Sequence, residues 1–239
     1  MPIPWLEDID LEFPSVHEAL EEPNGLLAAG GSLSPSSLLS AYRKGIFPWY
    51  ELGQPILWWS PDPRLVLIPE YLLVSRSLGK LARRNTYSFS VDKKFSDVMQ
   101  NCAEARHGSN GTWITDEMLN AYTVLHQEGA AHSVEVWSGE RLVGGLYGVA
   151  IGKVFFGESM FSKESNTSKL ALVYLVNQLQ NWGFELIDCQ VSSNHLLSLG
   201  AIEIPRNHFI KELGRLLNQQ TLSTSWQACN PTVSSRANL

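Results

Sequence analysis

Cysteine is scarce in this chain: Cys102, Cys189 and Cys229 are the only three among 239 residues, and they show no metal-ligand spacing. An odd count of widely spaced thiols disfavours a disulfide framework and fits a reducing compartment. Long apolar runs are missing as well. The longest, Leu170 to Val176, is far short of the roughly 20 residues that a helical membrane span needs. Met1 to Glu12 carries four acids and no Lys or Arg, unlike a secretory leader. These absences point to a soluble cytoplasmic protein. Charged residues make up only 18% and hydrophobic residues 44%, a composition that excludes disordered, fibrous and collagen-like classes. A chain of this length buries a real core, with roughly 70% of its unfolded surface removed on folding.

The net charge of -6 argues against a general affinity for nucleic acid, but the charge is unevenly spread. Met1 to Tyr42 holds seven acids and no Lys or Arg, whereas Tyr71 to Val91 holds Arg76, Lys80, Arg83 and Arg84 and no acid. Such a stripe can neutralise a few phosphates on an otherwise acidic protein, or it can be a solvated helix face.

Residues 1–63 are rich in Pro, Gly and Trp and poor in long periodic segments, which suggests a small N-terminal domain. Its stretch from Pro14 to Ser60 reads as short helices and turns, with a helix over Leu38 to Lys44. From Arg64 onward the pattern is regular. Strands are expected at Arg64–Ile68, Tyr87–Val91, His132–Trp137, Arg141–Ile151, Val154–Ser159, Glu185–Val191 and Ala201–Ile204. Helices are expected at Ser75–Arg84, Phe95–Ala105, Thr115–Glu128, Thr167–Trp182, Asn194–Leu199 and Asn207–Leu217. The Thr167–Trp182 helix is apolar nearly all round and should be buried against a sheet. A second, larger domain would thus span residues 64–220, followed by a loosely ordered tail over 221–239. Helices, three antiparallel strands, a central helix, then strand–helix–strand resembles the order of an N-acetyltransferase-like α/β domain. That order fixes no chemistry by itself.

Three constellations could carry chemistry. Gly157-Glu158-Ser159-Met160-Phe161-Ser162 precedes the buried helix, and Glu158 is either a ligand-facing carboxylate at the sheet edge or a surface acid in a turn. In Leu186-Ile187-Asp188-Cys189-Gln190-Val191, strand alternation puts Asp188 and Gln190 on one face, with Ile187 and Cys189 on the other. An acid and an amide in an apolar strand are costly unless paired, so they either brace each other or build a polar site. Cys189 reads as a core thiol, since no base has a spacing that would activate it. The third set is Trp49, Trp58, Trp59 and Trp113 in Gly- and Pro-rich loops, where indoles either pack or stack on unpaired bases. No two histidines have metal spacing, and His195 is either a site neighbour or a helix-start residue. Gly144-Gly145-Leu146-Tyr147-Gly148 lies inside a hairpin and opens no helix, so it marks a close approach to the backbone and not a phosphate loop.

Together these segments resemble the bacterial leucyl/phenylalanyl-tRNA–protein transferase family over nearly the whole chain. The residues that carry the resemblance are Glu22 to Ala28, Gly45 to Trp49, Leu57 to Arg64, Gly111 to Thr115, His132 to Trp137, Gly157 to Ser162 and Asp188 to Val191. The resemblance implies a small N-terminal domain joined to an N-acetyltransferase-like domain with a mixed, largely antiparallel sheet. It implies transfer of Leu or Phe, with Met a further candidate, from aminoacyl-tRNA to proteins that begin with Arg or Lys, marking them for N-degron proteolysis. It implies a monomer that uses no metal or cofactor. Trp49 would contact the terminal adenosine, and Trp113, Leu146, Phe155, Leu175 and Ile187 would line the pocket for the donor side chain. Glu158 would bind the acceptor's basic residue, and Asp188 with Gln190 would position and activate its amine. Arg76, Lys80, Arg83 and Arg84 would hold the tRNA backbone.

Two positions depart from the family pattern. Leu146 stands where Met is frequent, and Ser193 stands where Asn is common. The chemistry is consistent with the residues. An aminoacyl ester is already activated, so holding amine and carbonyl together can supply ~7–11 kcal/mol of the barrier. Two rival readings are an acyl-CoA-dependent N-acetyltransferase and a non-catalytic tRNA-binding module. The first would want a Gly-rich turn before the central helix, and Ser162 to Lys169 offers no glycine and one acid.

Overall fold

The computed structural model describes residues 3–7, 12–84, 86–107, 114–220 and Trp226. The first segment forms a small sheet where the sequence suggested only short helices and turns. Its strands are β1 (Trp5–Leu6), β2 (Leu26–Gly30), β3 (Phe47–Pro48) and β4 (Leu57–Trp59), in the order β1-β2-β4-β3. These strands are too short, and β2 is too uniformly buried, to show a period-2 alternation. Helix α1 (Pro35–Arg43) crosses from β2 to β3, with Pro35 in its first turn and the Ser34 side chain capping the Ser37 amide.

The second sheet has seven strands. Along the chain come β5 (Arg64–Leu67), α2 (Arg76–Ala82), β6 (Ser88–Val91), α3 (Phe95–His107) and α4 (Asp116–Gln127). Then follow β7 (Ala131–Ser138), β8 (Arg141–Ile151), β9 (Val154–Ser162) and α5 (Thr167–Asn181). The last elements are β10 (Leu186–Gln190), α6 (Asn194–Leu197), β11 (Ile202–Ile204) and α7 (Arg206–Leu216). The strand order is β11-β5-β10-β9-β8-β7-β6, and only the β9–β10 pair is parallel. It is a mixed α/β architecture with a largely antiparallel sheet, and α5 is the crossover that makes β9 and β10 parallel.

Apolar side chains cover both faces of this sheet. One face packs α5 through Leu170, Val173, Leu175 and Val176 against Val134, Leu146, Phe155 and Ile187. The other packs α1, α3, α4 and α7 through Tyr42, Val98, Tyr122 and Phe209, in one cluster with Trp58 of the small sheet. Glycine is required where α5 meets the sheet. A Cβ at Gly144 would lie 2.5 Å from the Thr167 side chain, whose hydroxyl donates to the Val143 carbonyl. A Cβ at Gly148 would lie 2.7 Å from the Phe155 ring and 2.2 Å from the Phe156 carbonyl oxygen. This is the close approach that the glycine cluster implied. The reading of a loosely ordered tail falls on residues outside those described, except for Trp226, whose indole packs against the α5 side of the core.

Candidate functional site

The parallel pair β9–β10 stays in register only from Leu186 opposite Val154 to Asp188 opposite Phe156. Beyond that point each strand is irregular against its other neighbour. In β9, Ser159 pairs with Tyr147 and Gly157 with Gly148, which leaves Glu158 as the extra residue of a bulge. In β10, Asp188 pairs with Val66 and Gln190 with Leu65 across a second irregularity, and Gln190 takes a left-handed φ of 63°. Bulges re-aim side chains, and these two turn Glu158 and Gln190 toward each other. Glu158 is therefore a strand residue, not a turn acid, because β9 runs on to Ser162.

The alternation expected for β10 holds. Ile187 and Cys189 face α5, while Asp188 and Gln190 face the opposite side. The two polar residues do not pair through their side chains. Asp188 is fully buried and takes a two-point fork from Arg64, Nε to Oδ1 at 2.8 Å and Nη2 to Oδ2 at 2.6 Å. Its Oδ1 also accepts the Gln190 amide N–H at 2.9 Å, which holds Gln190 in its left-handed backbone. Arg64, only 1% exposed, is sandwiched between Phe47 of β3 and Phe209 of α7, with its Cζ 4.8 and 4.7 Å from the ring centroids.

Gln190 donates Nε2–H to Glu158 Oε1 at 2.7 Å, and its Oε1 accepts no protein hydrogen bond among the described residues. Glu158, 8% exposed, also accepts from Tyr42 on Oε1 at 2.7 Å and from Tyr122 on Oε2 at 3.2 Å, and the two tyrosine hydroxyls touch each other. Burial pushes the Glu158 carboxyl up to about 7, against the lowering effect of the hydrogen bonds from both tyrosines and from Gln190. Burial and the Glu158 charge hold both tyrosine hydroxyls well above their usual range. Burial, with the Asp188 charge second, likewise raises the Cys189 thiol, a partly buried side chain packed against the α5-side core, which disfavours it as a nucleophile.

Nothing in the sequence assigned Arg64, Tyr42 or Tyr122 a role in this site. Each lies at least 36 residues from its partner in the site. The one hint was chemical: a carboxylate in an apolar strand, such as Asp188, demands a buried cation.

The remaining expected residues are distributed around this centre. Leu146, Phe155, Leu175 and Ile187 come together on the α5 face, the side of the sheet opposite Glu158 and Gln190, and they are close-packed there. A cleft of about 790 Å³ beside Lys153, Gln180, Glu185 and Arg215 touches none of the site residues. Trp49 is 41% exposed at the end of β3, beside Trp59, whose Nε1–H donates to the Trp49 carbonyl. Trp58 is a packing residue bonded to the Gly30 carbonyl, and Trp113 lies outside the described residues. Arg76, Lys80, Arg83 and Arg84 are all exposed on or just after α2, in no ion pair among the described residues. Ser193 caps the Leu196 amide of α6. His195 follows it, and burial together with the Lys169 charge lowers its pKa.

Asp92, His126 and His132 bring ligand atoms within 4.8 Å of one another. They already serve the protein. Asp92 accepts His132 Nδ1–H at 2.7 Å and the Ser133 amide at 2.8 Å, and His126 Nδ1 bonds the Ala131 carbonyl at 2.8 Å. At the start of α5, the Thr167 amide bonds the Glu164 carbonyl and the Ser168 amide bonds Ser162 Oγ. A pyrophosphate cradle of the acyl-CoA kind would need those donors free.

A mixed sheet whose parallel pair ends beside an oriented amide, with the Cys189 thiol and the Tyr42 and Tyr122 hydroxyls all raised in pKa, suits an acyl-group transferase that acts on a preactivated donor. Comparison with known proteins agrees. Residues 66–214 match the family described as leucyl/phenylalanyl-tRNA protein transferase, and residues 31–62 match that family's N-terminal domain. The chain belongs to this family and is an aminoacyltransferase. It is 57% identical to the leucyl/phenylalanyl-tRNA–protein transferase of Nitrosospira multiformis over 224 residues, which is 94% of this chain and 96% of that one. It is 58% identical to that of Pseudomonas putida, covering 94% of this chain and 99% of the other. Among solved structures, L-PGS from Bacillus licheniformis aligns with a TM-score of 0.41 at 11% identity, over 70% of this chain and 53% of that one.

Proposed function

We propose that this enzyme moves Leu or Phe from its tRNA to the α-amine of proteins beginning with Arg or Lys, marking them for N-degron proteolysis. The amine attacks the ester carbonyl, a peptide bond forms, and the 3′-terminal adenosine leaves as the alcohol with the proton lost by the amine. The observation that carries this reading is the Gln190 amide. Its nitrogen is committed to Glu158 and its backbone to Asp188, so its Oε1 is the acceptor left to orient an attacking amine at the β9–β10 gap. A neutral amide is a poor base, so its contribution is orientation and dipole, fixed in advance by the Arg64–Asp188 fork.

The donor side chain enters on the α5 face among Leu146, Phe155, Leu175 and Ile187, with Trp49 stacking on the terminal adenosine. Those residues are close-packed, so the side chain must part them, and a charged donor finds no partner there. Arg76, Lys80, Arg83 and Arg84 take the tRNA backbone. Glu158 takes the acceptor's guanidinium or ammonium, and the approaching cation favours the ionised carboxylate.

Incubation with charged tRNA and an Arg-starting peptide tests the reaction, and two variants test the roles. In folded protein, Gln190→Ala should lower kcat at saturating peptide roughly tenfold or more, because the interaction is wanted in the transition state. Glu158→Gln should mainly raise KM for the peptide. Near-normal turnover in Gln190→Ala, combined with loss of donor binding in Glu158→Gln, would overturn this assignment.

A further inference from the structure

Phe155 is pinned from two directions. Toward the sheet its ring lies over Gly148, where a Cβ would come within 2.7 Å of two ring carbons, so the ring already rests as deep as the backbone allows. On its flank stands Trp226, with ring centroids 5.9 Å apart at 32°. That indole is seated in a slot built for it. It stacks on His132 at 3.9 Å and 5°, and meets Trp182 at 4.7 Å and Phe184 at 6.1 Å edge-on. The His132 ring is itself fixed, since its nitrogens face Asp92 Oδ2 at 2.7 Å and the Gly129 carbonyl at 3.1 Å. Partners from β7, β9 and the α5–β10 connection thus converge on one side chain that lies beyond the last helix. On the other flank, Phe155 pairs across the sheet with Ile187. Trp226 therefore braces an aromatic ring that borders both its own slot and the apolar cluster around Leu146 and Leu175.

We infer that Trp226 is a specificity-determining positioning residue, which limits the depth of the donor pocket by holding the Phe155 ring in place. This rests on the reading of Leu146, Phe155, Leu175 and Ile187 as that pocket. Without the indole, Phe155 can swing into the vacated slot, and the pocket lengthens toward Trp182 and Phe184.

The test uses the full chain with aminoacyl-adenosine donors carrying Leu, Phe or the oversized naphthylalanine, and an Arg-starting peptide. Trp226→Ala should raise the naphthylalanine-to-Leu ratio of kcat/KM by roughly tenfold, the scale of a few methylenes in an apolar pocket. Trp226→Phe should give a smaller rise, and its value decides alone if the alanine variant does not fold. A purely structural role would lower both donors together and leave the ratio fixed. Phe155→Ala is run alongside. An unchanged ratio in folded Trp226 variants, with Phe155→Ala shifting it, overturns the inference and leaves the pocket standing. If Phe155→Ala does not shift the ratio either, the pocket reading fails and the inference with it.

Discussion

Replacing Arg64 by Met keeps an unbranched chain between the Phe47 and Phe209 rings and deletes the guanidinium. Asp188, with no exposed surface, then loses both arms of its fork, 2.8 and 2.6 Å long, and keeps only the Gln190 amide as a partner. Breaking one side of a buried ion pair costs about 3–5 kcal/mol, most of it the stranded charge. For a chain of this size that is roughly 6–20 °C in Tm, at about 2–4 °C per kcal/mol. Asp188→Asn should be similarly costly, since it strands Arg64, although the side-chain amide it introduces can still accept the Gln190 N–H. The double variant strands no charge, so it should lose clearly less than the sum of the two, with a coupling of about 2–3 kcal/mol. Urea unfolding followed by tryptophan fluorescence measures all four proteins of the cycle. Additive losses, or a loss below about 1 kcal/mol for Arg64→Met, would refute the claim that the pair holds this strand. Where the double variant folds, its turnover should still be low, because Gln190 no longer has a rigid anchor.

Three further expectations follow from the charged groups. Glu158 is raised from 4.5 to about 7 by burial, so the carboxylate that an acceptor cation needs forms as pH rises through about 7. Peptide KM should therefore fall over that range in the wild type, and Glu158→Gln should lose this inflection while keeping the one from the peptide's own amine. The same shift has a stability sign. The protonated group's contribution is fully present below pH 4.5 and is lost as pH rises to about 7, so Glu158→Gln should gain about 3 kcal/mol relative to wild type across that window. Replacing Arg76, Arg83 and Arg84 together by Ala should reduce the salt dependence of tRNA binding by roughly one unit of log–log slope per lost phosphate contact. An unchanged slope would return these residues to a solvated helix face.

The elements from Arg64 onward were largely legible because their signals are local. Ser75 and Thr115 cap their helices through the Leu78 and Met118 amides, Gly129 and Gly183 follow helix ends, and α5 is apolar on nearly every side. The small sheet was not legible, because strands of two to five residues carry no period and exist only by pairing with other segments of the chain. The candidate site divides in the same way. Glu158, Asp188 and Gln190 stood out as polar residues in apolar strands. What neutralises them comes from elsewhere: Arg64 from β5, Tyr42 from α1 and Tyr122 from α4. Strand alternation gave the faces of β10 correctly, but the bulge that makes Glu158 the extra residue of β9 depends on its register with β8.

Tyr42 and Phe47 belong to the first 63 residues, yet their partners Glu158, Arg64 and Phe209 come later in the chain. On the ribosome the small sheet emerges first with a tyrosine and a phenylalanine facing nothing. It can be completed only after α7, some 150 residues further on, has left the exit tunnel. A chimera that exchanged residues 1–63 between two relatives would therefore graft half of the packing around Glu158 and Arg64 along with the fold. Recombination should succeed only between chains that agree at both positions, and the two segments inherit as one unit.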